Sequence, residues 1–248
     1  MPTFLEFYKT YDSSLVTREH TSIMIRHCNE ILEFPEWITC IAIGDCDIST
    51  LPPLPPNLKK LIVNDNQLTS LPDLPESLVT LNCWRNKLNV LPDLPSNLEQ
   101  LDCRVNNLQY LPELPLNLDI LACGGNELTQ LPYLPPNLTQ LFCMSNQLTQ
   151  LPPLPESLKV LICGYNKLSE LPKLSNELVS LKCTNNQLSW LPQLPSTLEM
   201  LECGKNNLLT LPELPLGLKI LWYDKDKINI PQLPPNLLNY LDSNMVRI

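Results

Sequence analysis

Residues 71–90 read Leu71-Pro-Asp-Leu-Pro-Glu-Ser-Leu-Val-Thr-Leu-Asn-Cys-Trp-Arg-Asn-Lys-Leu-Asn-Val90, and the next twenty residues repeat the design. Written in rows of twenty from Leu51, the chain stays close to L-P-x-L-P-x-x-L-x-x-L-x-C-x-x-N-x-L-x-x. Leu51, Leu71, Leu91 and onward to Leu211 fill column 1, and Leu61 to Leu221 fill column 11. The frame runs backward through Ile31, Phe34, Pro35, Ile38, Ile41, Ile43 and Ile48. Forward, Ile230, Pro231, Leu233, Pro234 and Leu237 open a partial row after a one-residue deletion. Self-similarity at a fixed period in this range marks a stacked repeat architecture. The expected organisation is an N-terminal cap over 1–30, ten rows over 31–229 with the last shortened, and a partial repeat with the C-terminal end over 230–248.

Each row has its own physical logic. In L-x-x-L-x-C the last two apolar residues alternate with polar or variable ones, the period-2 signal of a half-buried strand. Leu81 and Cys83 then face inward, and Asn82 and Trp84 face out. So short a strand cannot stand alone, but parallel strands stack about 4.8 Å apart. In the L-P-x-L-P half, proline removes backbone donors and clashes with a preceding helical turn, and it holds the residue before it extended. That half is expected to be a polyproline-like return segment, with prolines that also reduce the entropy of the unfolded chain. One row buries too few side chains to offset its own ordering, so stability has to come from stacking.

Composition narrows the class. Of 248 residues, 26 are proline and only 6 glycine, yet 44% are hydrophobic, enough to build a core. The net charge of −9 disfavours general affinity for nucleic-acid phosphates or anionic membranes. No apolar run approaches a membrane span, and Met1-Pro-Thr-Phe-Leu-Glu6 lacks the basic start and apolar stretch of a secretory signal. A soluble protein made in the cytosol is expected.

The segment L-x-x-L-x-C-x-x-N-x-L resembles the leucine-rich repeat, with cysteine in place of the third leucine. The twenty-residue L-P-x-L-P spacing is similar to the short class of bacterial effectors and of repeat arrays in large DNA viruses. The resemblance covers residues 31 to about 240. It implies a curved solenoid with a parallel β-sheet on the concave face, extended segments on the convex face and little helix. It also implies a protein partner. Some effectors of this class carry a C-terminal ubiquitin-ligase domain, and none is expected after the last strand here.

Cys83, Cys103, Cys123, Cys143, Cys163, Cys183 and Cys203 recur every twenty residues in one inward column. They read as small core hydrophobes, since no C-x-x-C pair or histidine accompanies them. Parallel-strand neighbours also direct their Cβ atoms the same way, which suits a disulfide poorly. Free thiols fit a reducing compartment, host cytosol if the protein is delivered or viral. The asparagines from Asn66 to Asn206 form a second column, whose amides offer donor and acceptor to bridge consecutive turns. Cys46 and Asp226 take that column near the ends. In the cap, Ile23–Cys28 echoes Ile41–Cys46, so one added strand is expected. Phe4, Leu5, Phe7, Tyr8 and Tyr11 are expected to cover the first coil. His20, His27, Cys28, Cys40 and Cys46 match no common zinc spacing; no metal and no cofactor is expected. The end from Leu237 onward fits two registers and reads as a frayed last turn.

Function has to lie on outward positions that the frame leaves free. Phe142, Met144, Ile162 and Tyr165, with Ile120 and Val160 beside them, predict an apolar patch at mid-sheet. Trp84, Arg85 and Arg104 predict an aromatic-basic patch. Aromatic, methionine and arginine side chains are the types enriched at interface hot spots. Both histidines lie in the cap, with no phosphate loop and no Ser-His-Asp grouping in the frame, so no enzyme is expected. The resulting expectation is a monomeric, protein-binding module using its concave face as scaffold or blocker. The alternative is a structural or self-associating repeat protein such as a virion component.

Overall fold

The computed structural model describes residues 3–8, 10, 12–28, 30–31, 33–228, 237 and 239–242. The chain divides into two compact units, Met1–Glu127 and Leu128–Ile248. The first unit holds β1 (Thr3–Tyr8), β2 (His20–Arg26), β3 (Cys40–Gly44), β4 (Lys60–Ile62), β5 (Thr80–Asn82), β6 (Gln100–Asp102) and β7 (Ile120–Ala122). The second holds β8 (Gln140–Phe142), β9 (Val160–Ile162), β10 (Ser180–Lys182), β11 (Met200–Glu202), β12 (Ile220–Tyr223) and β13 (Asn239–Asp242). A single 3-10 turn, Ser13–Leu15, is the helical structure among the described residues.

Within each unit the strands pair in parallel and in chain order. Register follows the repeat: Leu61 sits opposite Leu81 and Leu81 opposite Leu101, while Leu161, Leu181 and Leu201 align likewise. Each coil is therefore one row, a β-solenoid turn. Columns 8, 11, 13 and 18 are the core: Leu78, Leu81, Cys83 and Leu88 are all fully buried. The L-P-x-L-P half carries neither helix nor strand and ends in a turn, as where the Leu78 amide donates to the Pro75 carbonyl at 2.9 Å.

The asparagine column bridges coils as its chemistry allows. Asn86 Nδ2 donates to the Val63 carbonyl one row back at 2.9 Å and to its own Cys83 carbonyl at 3.1 Å. Its Oδ1 accepts from the Leu68 amide at 3.0 Å. Asn106, Asn166, Asn186 and Asn206 repeat the pattern. At the front, Cys46 Sγ accepts from the Cys28 amide at 3.4 Å. At the back, Asp224 rather than column-mate Asp226 receives the Lys205 amide at 2.8 Å. The same carboxylate also accepts from the Asn206 amide at 3.4 Å, so it caps column-15 and column-16 amides and not the column-18 leucine amide that the asparagines take.

Both ends differ in detail from the sequence expectation. The cap contributes two strands, not one. Leu5 and Phe7 of β1 align with Ile23 and Ile25 of β2, extending columns 11 and 13, so this segment adds a coil edge instead of lying across the first coil. Its period-2 pattern lacks the prolines that signalled the other rows. At the other end Tyr240 of β13 pairs with Leu221, an offset of nineteen that matches the one-residue deletion. Tyr11, the partial-row residues Ile230, Pro231, Leu233 and Pro234, and the end beyond Asp242 lie outside the described residues.

Candidate functional site on the sheet face

A three-residue strand presents one buried and two outward side chains, and the residue three positions past it is forced into a bend. That bend is left-handed at Asp65, Arg85, Val105, Gly125, Ser145, Tyr165, Asn185 and Lys205, with φ between 53° and 67°. The turn aims the following asparagine inward and lifts the column-15 side chain to the margin of the sheet face. Sequence reading missed this requirement. Its trace was the favourable Asp65, Gly125 and Asn185, masked by Arg85, Val105 and Tyr165, which adopt the region at a cost.

In the first unit Trp84 is half-buried, and Arg85 and Arg104 are exposed on neighbouring coils, where the Arg85 amide donates to the Arg104 carbonyl at 2.8 Å. Neither guanidinium is unpaired. Arg85 Nη1 lies 3.1 Å from Asp65 Oδ1. Arg104 grips Asp102 with two bonds, Nε to Oδ1 at 2.9 Å and Nη2 to Oδ2 at 2.6 Å. The hydrogen bonds to Asp102 hold the Arg104 guanidinium still more firmly protonated. The basic character expected of this patch is thus offset by carboxylates from the same face, leaving Trp84 as its principal apolar feature.

In the second unit Phe142 and Ile162 are cross-strand partners, both half-buried. Met144 and Tyr165 stand further out, 39% and 46% exposed. Val160 is half-buried beside them, opposite Gln140. Gly164 keeps the floor low. A Cβ there would come within 2.9 Å of the Thr184 carbonyl oxygen. Further along, Lys182 and Glu202 close into an ion pair at 2.9 Å with both side chains largely covered. Phe142, Met144, Ile162 and Tyr165 therefore share one face with charges that neutralise each other. Ile120 belongs to the first unit, opposite Gln100.

The seven column-13 thiols point away from this face. All are free and buried, and burial pushes those of Cys143 and Cys203 up to about 12. No group of three or more His, Cys, Asp or Glu among the described residues is placed to hold a metal ion. No described helix is long and apolar enough to cross a membrane.

An inward leucine-cysteine spine, an asparagine ladder and proline-fixed return segments recur in each coil from residue 71 to 210. The fold is that of the leucine-rich repeat proteins. YopM from Yersinia enterocolitica WA-314 is 30% identical, with a TM-score of 0.72 over 92% of this chain and 60% of that one. YopM from Yersinia pestis, described as a leucine-rich effector protein, is 32% identical, with a TM-score of 0.80 over 88% of this chain and 64% of that one. The functional domain of InlJ from Listeria monocytogenes, which includes a cysteine ladder, is 27% identical, with a TM-score of 0.60 over 73% of this chain and 43% of that one. The chain spans about three fifths of the length of the YopM structures. No protein-family model and no curated protein matches its sequence.

Proposed function

We propose that this chain is a non-enzymatic, monomeric protein-interaction scaffold that takes its partner on the sheet face, the side expected to be concave. It would act, like an effector, by tethering or blocking another protein in a reducing cytosol. The observation that carries this reading is the apolar set Phe142, Met144, Ile162 and Tyr165, displayed on adjacent coils where the frame needs no apolar residue. Trp84, with Arg85 and Arg104 held by Asp65 and Asp102, forms a second contact area on the same side of its own unit. Solvent-facing aromatic and methionine side chains on a rigid sheet suit a hot-spot cluster, because little side-chain freedom is lost on docking.

The test is partner capture from cytosolic extract by the full chain and by the Met144→Asp, Tyr165→Asp double variant. Both side chains are exposed, and aspartate tolerates the left-handed bend at 165, so thermal unfolding should change little. Loss of capture with an unchanged melting temperature supports the reading; undiminished capture removes this face as the site. Concentration-dependent polymers of the wild-type chain, in place of capture, would favour a self-associating repeat.

A further inference from the structure

The return segments of the second unit hold a groove of about 860 Å³, lined by three successive stretches, Leu-Pro-Lys-Leu-Ser at 171–175 and L-P-x-L-P at 191–195 and 211–215. Its walls are Leu171, Leu174 and Leu194, with Trp190 standing 50% exposed and Leu216 74% exposed at the mouth. Two charged residues line it, Lys173 and Glu213. Lys173 is already committed to Glu156 at 2.9 Å, whereas Glu213 has no ion pair among the described residues.

A break in the repeat adds a second acceptor. Along these segments side chains recurrently donate to a carbonyl of the row before. Ser77 reaches Pro56 at 2.9 Å, Asn97 reaches Glu76 at 2.8 Å and Asn117 reaches Ser96 at 3.1 Å. In the second unit Ser157 reaches Pro136 at 2.7 Å, Ser175 reaches Glu156 at 2.6 Å and Thr197 reaches Asn176 at 2.8 Å. The next donor would come from position 217, which is glycine. The Ser196 carbonyl therefore accepts no hydrogen bond among the described residues, and its oxygen lies 3.7 Å from where a Cβ on Gly217 would stand. Gly217, Ser196, Glu213 and Trp190 all line the one groove.

We propose that this groove binds an arginine side chain carried on an extended, proline-containing segment of a partner protein. The guanidinium is the group that matches all three features. It pairs with a carboxylate, donates to a carbonyl in the same plane, and stacks on an indole face. Leucine and tryptophan walls between extended segments suit the proline and aliphatic rings of a polyproline-type peptide, the common mode of aromatic-lined grooves. This site lies on the return segments, is separate from the sheet face, and does not depend on the reading given for it.

The test is isothermal titration of the full chain with a short capped peptide holding one arginine among prolines and leucines. The control is the same peptide with citrulline, which is isosteric and uncharged. The arginine peptide should bind, and citrulline should weaken it at least about tenfold. Glu213→Gln and Trp190→Ala should weaken it comparably. Gly217→Asn should abolish binding while keeping the melting temperature, because the new amide can satisfy the Ser196 carbonyl as Asn97 and Asn117 do for theirs. Equal affinity for both peptides, no binding by either, or full binding by Gly217→Asn would overturn the proposal. So would self-association of the chain that Trp190→Ala removes, since a second copy would then be the occupant.

Discussion

Replacing Asn86 with alanine removes its three shortest side-chain hydrogen bonds at once and tests how the coils are held together. Its amide donates to the Val63 and Cys83 carbonyls and accepts from the Leu68 amide, and the residue is only 9% exposed. A buried backbone group left without a partner costs about 1–3 kcal/mol. Only the Leu68 amide is left bare, because the Val63 carbonyl keeps Asn66 Nδ2 at 3.1 Å and the Cys83 carbonyl keeps Asn106 Nδ2 at 3.0 Å. That orphaned donor and the two lost bonds together should cost about 2–4 kcal/mol. Urea unfolding followed by tryptophan fluorescence measures this directly. Asn89→Ala, one coil margin away and exposed, is the control and should stay within about 0.5 kcal/mol of wild type. Amide exchange at Leu68 should also quicken selectively. A loss below about 1 kcal/mol for Asn86→Ala, with Leu68 exchange unchanged, would refute the bridging role.

Val105 occupies the left-handed bend at φ 53° with half its surface exposed, so Val105→Asn should gain about 1 kcal/mol and raise the melting temperature in calorimetry. Gly125→Val should do the opposite, because its φ is +67° and a Cβ would meet Val105 Cγ2 at 3.3 Å. The native protein should resist thiol reagents at its seven column-13 cysteines, and label fully only in denaturant. Stability should also fall in alkali. The folded chain holds the Cys143 and Cys203 thiols near 12 against an ordinary 9.0, so the unfolded chain releases protons first as pH climbs past 9. Urea midpoints should hold flat below pH 9 and decline between 9 and about 12. Cys143→Val with Cys203→Val should blunt that decline.

The spine was legible because two periods coincide in each row, alternation within the strand and recurrence every twenty residues. Leu81, Cys83 and Leu88 could hardly be placed elsewhere, and Asn86 advertised its role through both ends of its amide. β1 hid because Leu5 and Phe7 alternate without the flanking prolines. The pairing of the two arginines was partly readable: Asp65 and Arg85 share a column, and Asp102 and Arg104 share a strand face. Counting arginines as a basic patch overlooked carboxylates at those same offsets. The left-handed bend was obscured because stacking forces residues as unsuited as Val105 and Tyr165 into it. The return-segment groove needed coordinates, since its making depends on what Gly217 fails to supply to a residue twenty-one positions back.

A photo-reactive phenylalanine analogue placed at position 142 of the full chain interrogates the sheet face most directly. Irradiated in cytosolic extract, it should yield a discrete protein adduct that disappears in the Met144→Asp, Tyr165→Asp background. An analogue at exposed Asp73, on a return segment of the first unit, should yield none of that adduct. Labelling that is absent at 142, or identical from both positions, would contradict the assignment of partner binding to the sheet.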